Sequence, residues 1–279
     1  MKTTRLIFMA IMCVFCLQSC SQDHTEIPVS EPVKVKTFYS GTWDVAHIDF
    51  VKEANLWFDS VSTANNFIYE KSNDWNSLND ATLEDCDVVI FLDDVPKSRA
   101  QEQALERFVE NGGGLIVFHA AGYNDQLGKW DWYYNDMLGM GRYAGNTWKP
   151  TSATLRVEKK DHPIVQGLPD KFESQPNEWY KWERDLTQNE NIDILLAIDE
   201  SSFPLGTGPK EFEIWHEGYY PVVWANKAHN VVYINMGHND MKYNPDVALS
   251  HTFDNDIQNK LVLNTIQYLG AKKKIQQNN

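Results

Sequence analysis

The sequence predicts an α/β protein built on a doubly wound, mostly parallel sheet, with extra β-rich segments in its C-terminal half. Residues 87–92 and 115–118 are short, largely apolar runs bounded by turn residues, which is typical of strands buried on both faces. Helix-like spacing separates such runs in the first half of the chain, and this alternation favours parallel pairing with right-handed crossovers. Beyond residue 149, strand-like segments follow one another with few helices between them.

The individual elements follow from the spacing of apolar residues and from capping residues. Predicted strands cover residues 33–39, 67–69, 87–92, 115–118, 154–158, 192–198, 220–225 and 231–235. Predicted helices cover residues 46–61, 99–111 and 256–269. Ser98 is a typical N-cap for the second helix, and Gly270 is expected to end the last one.

The N-terminus has the pattern of a secretory signal. Lys2 and Arg5 precede an apolar run over residues 6–17, which is too short to span a membrane as a mature helix. Cys20 follows a Leu-Gln-Ser triplet, as in a bacterial lipobox, where the cysteine is lipidated and becomes the first mature residue. We therefore expect an exported, lipid-anchored protein of the cell envelope, with an ordinary signal peptide cut nearby as the alternative.

These features divide the chain into four predicted parts. They are a lipoprotein signal peptide (residues 1–19), a lipidated cysteine with a polar tether (20–32), one large domain (33–271) and a polar tail (272–279). Of the four cysteines, only Cys86 lies in the domain, so no internal disulfide is expected. Loss of Lys2 and Arg5 with the signal changes the formal net charge from −14 to −16. A surface this acidic disfavours nucleic acid and other polyanions as partners, so we expect none, and it favours a neutral or cationic small molecule.

Two histidines stand directly after predicted strands. His119 ends an apolar run between small residues, and His238 follows the last predicted strand beside Gly237. In an open α/β sheet, groups at the carboxyl ends of the strands face the crevice where ligands bind. Both histidines are therefore candidate catalytic residues. For His119, a histidine that only caps a strand is the alternative.

A carboxylate and several aromatic residues are further candidates for the same site. Glu178 lies in an aromatic stretch where alternation would place Tyr180 and Trp182 on its own face. Partial desolvation there is expected to raise the pKa of Glu178 toward the range that suits acid–base catalysis. Trp130, Tyr133, Tyr180 and Trp182 are candidate substrate-binding residues, because sugar rings stack on flat aromatic rings with a polar tip. Core packing is the alternative role for the tryptophans.

His47 follows the first strand and a Ser-Gly turn, and it is the fourth candidate catalytic residue. The turn lacks the pattern of a phosphate-binding loop. Either His47 faces the same crevice as His119, or it is an exposed residue in the first turn of a helix. Together, His47, His119, Glu178 and His238 have the residue types of a catalytic zinc site. Their spacing contains no local ligand pair, so we predict no cofactor and keep a divalent metal as the alternative.

Nucleophilic catalysis has little support in the sequence. Cys86 lies before a buried strand rather than at an exposed strand end, and no Gly-x-Ser-x-Gly elbow is present. The candidate residues therefore point to acid–base chemistry, which needs no covalent intermediate.

A set of motifs occurs in an order that resembles the ThuA-like (trehalose-utilisation) family. The motifs are residues 112–121, the Trp/Tyr segment leading to 137–139, then 161–168, 177–180, 221–224 and 233–238. The resemblance covers residues 34–270 and implies a flavodoxin-like sheet of the class I glutamine amidotransferase type, without that superfamily's cysteine nucleophile. The resemblance places His119 at the turn where that superfamily has its cysteine. The chain departs from many relatives at residues 43–47 and at Asn177, where an acid is frequent.

The resemblance also implies a substrate class, namely disaccharides or their keto derivatives. The leading hypothesis is a membrane-tethered enzyme that acts on a neutral disaccharide or glycoside, or on its 3-keto derivative. His119 and Glu178 would move protons, with His238 and His47 orienting hydroxyls or assisting. Isomerisation or elimination, which starts with proton abstraction beside a carbonyl, needs such groups. A non-catalytic sugar-binding lipoprotein and a metal-dependent hydrolase are the alternatives.

Overall fold

A large mixed sheet with helices on both faces is the framework of the protein. The computed structural model describes residues 31–42, 45–126, 128–240 and 249–277. The predicted signal peptide, the lipidation site Cys20 and the tether up to residue 30 lie outside these residues. From Pro32 onward the chain groups into one compact unit.

All eight predicted strands and all three predicted helices are present, although the last helix ends well beyond its predicted bound. The strands are β1 (Val33–Phe38), β2 (Phe67–Ser72), β3 (Val88–Phe91), β4 (Gly114–Phe118), β5 (Tyr143–Asn146), β6 (Thr154–Val157), β7 (Lys171–Glu173), β8 (Tyr180–Trp182), β9 (Ile192–Ile198), β10 (Pro221–Asn226) and β11 (Val231–Ile234). The helices are α1 (Val45–Val61), α2 (Asp80–Glu84), α3 (Arg99–Glu110) and α4 (Asp256–Gln277). Of these elements, β5, β7, β8 and α2 were not predicted. In the described ranges, no helix has both the length and the hydrophobicity that crossing a bilayer requires.

The sheet confirms the predicted fold class. Among the described residues, nine strands pair in the order β2-β1-β3-β4-β11-β10-β9-β6-β7, and β5 pairs with β8 separately. The first five of these are parallel to one another. The remaining four continue the sheet in antiparallel fashion, which accounts for the β-rich C-terminal half. Because β4 and β11 are parallel neighbours, the segments that follow them emerge at the same edge.

Two apolar cores cover the two faces of this sheet. Phe50 and Phe58 of α1 share one core with Ile266 of α4, and Leu105 and Phe108 of α3 belong to the other. The central strands supply alternate residues to each core, as expected when both faces are buried. Helices on both faces of a parallel sheet make the fold doubly wound.

The predicted end of the last helix is wrong, whereas the predicted N-cap is confirmed. Ser98 Oγ accepts a hydrogen bond from the Gln101 backbone N–H at 3.4 Å, and the Gln101 side chain accepts one from Ser98 in return. Helix α4 continues through Gly270 to Gln277, so most of the predicted polar tail is helical. A Cβ at Gly270 would lie 2.6 Å from Val33 Cγ1, so this glycine permits close helix–strand packing rather than ending the helix.

Candidate functional site

The candidate site lies at the carboxyl edge of the parallel strands. His119 follows β4 directly, and His238 follows β11 a few residues beyond Ile234, which pairs with Phe118. These two strands are far apart in the sequence but adjacent in the sheet. The register of a long-range strand pair therefore places both histidines at the edge where α/β proteins bind ligands.

Four predicted catalytic residues converge at this edge. The Glu178 Oε2 atom lies 2.9 Å from His238 Nδ1 and 3.8 Å from His119 Nε2. His47, in the first turn of α1, completes the group, with its ring centroid 4.7 Å from that of His238 and 5.4 Å from that of His119. All three histidines are buried, and Glu178 is only 9% exposed. His47 is therefore not the exposed first-turn residue that was its alternative.

Two buried asparagines hold the members of this cluster in place. Asn177 Oδ1 accepts hydrogen bonds from the backbone N–H groups of Gly237 and His238, at 2.9 and 3.2 Å. The Glu178 N–H in turn donates to the His238 carbonyl at 2.9 Å. Asn235 Oδ1 lies 3.3 Å from His119 Nδ1 and accepts from the Tyr180 N–H, while its Nδ2 donates to the Tyr180 carbonyl at 2.8 Å.

The Asn235 contacts determine the tautomer of His119. Since Asn235 Nδ2 is used by the Tyr180 carbonyl, its Oδ1 faces His119 and can only accept a hydrogen bond. His119 Nδ1 must then carry the proton. In the neutral ring, Nε2 is left with a lone pair that points into the cluster.

The backbone at this edge is strained and tightly packed. His119 has a positive φ of 27°, an uncommon conformation for a residue with a side chain. Gly237 approaches it so closely that a Cβ at this glycine would lie 3.2 Å from His119 Cβ. Strain of this kind persists only where the surrounding structure enforces it, and it concentrates at functional sites.

Burial and neighbours set the charges of the cluster. Burial lowers the pKa of His119 to about 4, although Glu178 opposes this shift. Burial alone would raise the pKa of Glu178, but its contacts with His119 and His238 outweigh burial and lower the pKa below its ordinary range. The predicted upward shift for Glu178 is therefore wrong, because two imidazoles face the carboxylate. At neutral pH, His119 is neutral and Glu178 is ionised.

The four predicted substrate-binding aromatic residues separate into two groups. The Tyr180 ring stacks on His119 with a centroid distance of 4.0 Å, and Trp182 packs against Tyr180 at 5.9 Å. Trp130 and Tyr133 instead belong to the core on the α3 face, where they stack on each other at 4.5 Å. Tyr133 is fully buried and its hydroxyl donates to the Ala121 carbonyl. The contacts of this pair are those of core packing, which was the alternative role for the tryptophans.

The cluster also has the composition of a metal centre. One ligand atom from each of His47, His119, Glu178 and His238 can be chosen so that all four lie within 4.8 Å of one another. Imidazole nitrogen and carboxylate oxygen are ligands that zinc and related divalent ions accept. Asn235, which orients His119 from outside, is the type of partner that metal-bound histidines have.

Sequence reasoning missed Asn146, Asn177 and Asn235 as parts of the site. Asn146 Nδ2 donates to Glu178 Oε1 at 2.7 Å. Asn177 directly precedes Glu178 in the sequence, and Asn235 directly follows β11, three residues before His238. Their positions beside candidate residues were the signals available in the sequence. Cys86 lies two residues before β3 and is buried, and burial raises its thiol pKa to about 11.

The fold and the cluster together define an α/β protein with a buried histidine–carboxylate site at the carboxyl edge of its parallel strands. A family model described as ThuA, trehalose utilisation, matches residues 36–254. The chain therefore belongs to the ThuA family, and its role is related to carbohydrate utilisation. A search of curated proteins gave no match.

Solved structures agree with this membership. A ThuA-like protein from Bacteroides uniformis is 30% identical, with a TM-score of 0.76 over 86% of this chain and 93% of that one. A ThuA-like protein from Parabacteroides merdae is 20% identical, with a TM-score of 0.56 over 86% and 90% of the two chains. A beta-galactosidase from Bacillus circulans shares the fold over 85% of this chain but 31% of its own, at 16% identity and a TM-score of 0.50.

Proposed function

We propose that this protein is a lipid-anchored enzyme of the cell envelope that processes a neutral disaccharide or glycoside, or its 3-keto derivative. The single observation that carries the proposal is the convergence of His47, His119, Glu178 and His238 at the ligand-binding edge of the sheet. Family membership supports the substrate class, and the acidic composition favours a neutral ligand over an anionic one.

The charges of the cluster suit acid–base chemistry. His119 is neutral, and its Nε2 lone pair can accept a proton from a carbon beside a carbonyl group or from a hydroxyl, while the ionised Glu178 stabilises the imidazolium that forms. His119 and His238 lie within reach of the same carboxylate oxygen and can relay or return the proton. Proton transfer of this kind begins an isomerisation or an elimination, and neither needs the nucleophile that the chain lacks.

A polar cavity at the same edge of the sheet as the cluster supports binding of a polyhydroxylated ligand. It measures about 350 Å³ and lies at the same edge of the sheet, with Ala120 and Tyr123 in its wall. Asp94, Asp125 and Lys129 also line it. Such groups accept and donate the hydrogen bonds that sugar hydroxyls require, and the volume is in the range of small-molecule sites. Ala120 directly follows His119 in the chain, although none of the four cluster residues is among the described residues that line the cavity.

Turnover by the purified protein tests the proposal. The full-length chain would be assayed on a panel of glycosides and 3-keto glycosides, together with His119→Ala. We expect this substitution to lower turnover by roughly 10²–10⁴-fold, the usual contribution of a catalytic acid or base. His162→Ala is the matched control, because His162 is also buried but caps a turn through the Ile164 N–H.

Two results would contradict the enzymatic proposal. Intact activity per folded molecule in His119→Ala would show that this histidine has only a structural role. Binding of sugars without turnover on any member of the panel would favour the non-catalytic sugar-binding alternative.

A further inference from the structure

We propose that His47, His119, Glu178 and His238 bind one divalent transition-metal ion of the zinc type. The inference rests on the proposed function for the role of the ion in the reaction. Binding of the ion itself follows from the contacts within the cluster and can be tested without a sugar.

Two hydrogen-bond acceptors, one on His119 and one on Glu178, face each other within the cluster. The contacts of Asn235 place the His119 proton on Nδ1, so Nε2 presents a lone pair. That lone pair lies 3.8 Å from Glu178 Oε2, which also presents lone pairs. Two acceptors facing each other in a buried site repel unless a cation or proton lies between them. A metal ion accepts both lone pairs at once.

Two buried imidazole nitrogen atoms of the cluster lack hydrogen-bond partners within the described part of the chain. Nε2 of His119 and Nε2 of His238 have no hydrogen-bond partner among the described residues. Buried polar side-chain atoms are normally satisfied, and each exception calls for an explanation such as an ion. Both rings belong to the group whose ligand atoms converge.

The negative charge of Glu178 is buried within the cluster. Glu178 is a buried carboxylate, and within the described part of the chain its ion-pair contacts are with His119 and His238, not with a lysine or arginine. A buried charge is costly unless it is paired or coordinates a metal. A divalent cation would supply the missing positive charge.

The distances between the four ligand atoms agree with a tetrahedral metal site after small movements of the side chains. Zinc bonds of about 2.0–2.1 Å in a tetrahedron place neighbouring ligand atoms about 3.4 Å apart. The four ligand atoms lie within 4.8 Å of one another, so side-chain movements on the order of 1 Å would complete the tetrahedron. Three imidazoles and one carboxylate favour zinc, cobalt, nickel, manganese or iron over calcium and magnesium, which prefer oxygen ligands.

If these four side chains are its ligands, the ion would take over the role in proton abstraction that the metal-free cluster assigns to His119 and Glu178. A bound divalent metal polarises a carbonyl oxygen, or lowers the pKa of a water molecule so that it acts as a base near neutral pH. Either effect promotes proton abstraction beside the carbonyl of a keto sugar. Expansion to five ligands, which zinc allows, would admit the substrate oxygen.

Direct metal binding tests the inference. The full-length chain would be purified in detergent, stripped with a chelator and titrated with Zn²⁺ by calorimetry, and metal content would be measured after dialysis. We expect one Zn²⁺ per chain and a rise in the thermal midpoint. Bound Co²⁺ should give the visible spectrum of a site with nitrogen and oxygen ligands. Conservative substitution by Glu178→Gln and removal by His238→Ala should each weaken binding more than the 10–100-fold typical of outer partners.

His162→Ala is the control, since it removes a buried histidine outside the cluster and should leave Zn²⁺ affinity unchanged. Circular dichroism would establish that each variant is folded. A stoichiometry far below one, or wild-type affinity in both cluster variants, would overturn the inference, as would equal loss in His162→Ala. Turnover that persists after complete metal removal would overturn the role of the ion in the reaction while leaving the proposed function intact. Zinc binding without turnover on any sugar would leave the metal site intact and contradict the proposed function.

Discussion

Replacement of Asn235 by alanine separates the stability of the fold from the organisation of the site. Asn235 is fully buried, and its side chain makes three hydrogen bonds, one with His119 Nδ1 and two with the Tyr180 backbone. At about 1 kcal/mol of net stability for each bond, Asn235→Ala should lower the free energy of unfolding by roughly 2–4 kcal/mol. It should also free the tautomer of His119, because among the described residues Asn235 is the hydrogen-bond partner of His119 Nδ1.

The second effect distinguishes a positioning role from a purely structural one. Loss of a partner that orients a metal-bound histidine typically weakens metal affinity by about 10–100-fold. We expect Asn235→Ala to show such a loss in Zn²⁺ titrations and a matching loss of turnover. Asn235→Asp keeps an acceptor for His119 Nδ1 and should recover most of the metal affinity. Urea denaturation would supply the stability change for each variant.

A matched control lies at the other end of the same strand. Asn230 precedes β11, is equally buried and donates hydrogen bonds to the carbonyls of Gly112 and Leu269. Asn230→Ala should lower stability by about 2 kcal/mol with Zn²⁺ affinity unchanged. If both variants weakened Zn²⁺ binding equally, or if neither did, the assignment of Asn235 as a positioning residue would be refuted.

Three further predictions concern the anchor, the acid stability and a helix cap. Cys20→Ala should release the protein from the membrane fraction, because only the thiol at the mature terminus can be acylated; membrane retention of the variant, with no acyl label on the wild type, would contradict this. Hydrogen bonds from Lys171 and Ser201 lower the pKa of the buried Asp199, so its stabilisation is complete above the unfolded-state pKa of about 4 and is lost as the pH falls below it. The unfolding free energy, measured by urea titration, should therefore fall more steeply below that pH in the wild type than in Asp199→Asn, and parallel curves would argue against this role. Ser98→Ala should cost about 0.5–2 kcal/mol of stability through loss of the N-cap of α3, with turnover unchanged.

Much of the fold could be predicted because its signals are local. The apolar run before His119 and the helical spacing over α1 and α3 each reflect a face that must be buried. The end of α4 could not be predicted, since Gly270 has the composition of a helix stop. Only its contact with Val33, from a distant strand, shows that the glycine serves close packing.

The aromatic candidates show what the local sequence could not predict. Tyr133 and Tyr180 have the same chemistry, and both lie in aromatic stretches. Both are buried, but Tyr133 packs in the core on the α3 face and Tyr180 stacks on His119. The difference depends on which surface packs against each ring, and spacing along the chain carries no information about that. The same reason explains why the pKa of Glu178 moved opposite to the prediction, since its two imidazole neighbours come from distant strands.

The sequence by itself determined the types of the elements, the parallel sheet and the position of two histidines after buried strands. Each of these follows from periodicity and from turn residues that act within a few positions of one another. Only the tertiary structure decided that His47, His119, Glu178 and His238 form one buried cluster. Their distances are set by the pairing of β4 with β11 and by the Asn177 and Asn235 hydrogen bonds, which join residues more than fifty positions apart. Long-range pairing of this kind brings together ligands that no local spacing could reveal.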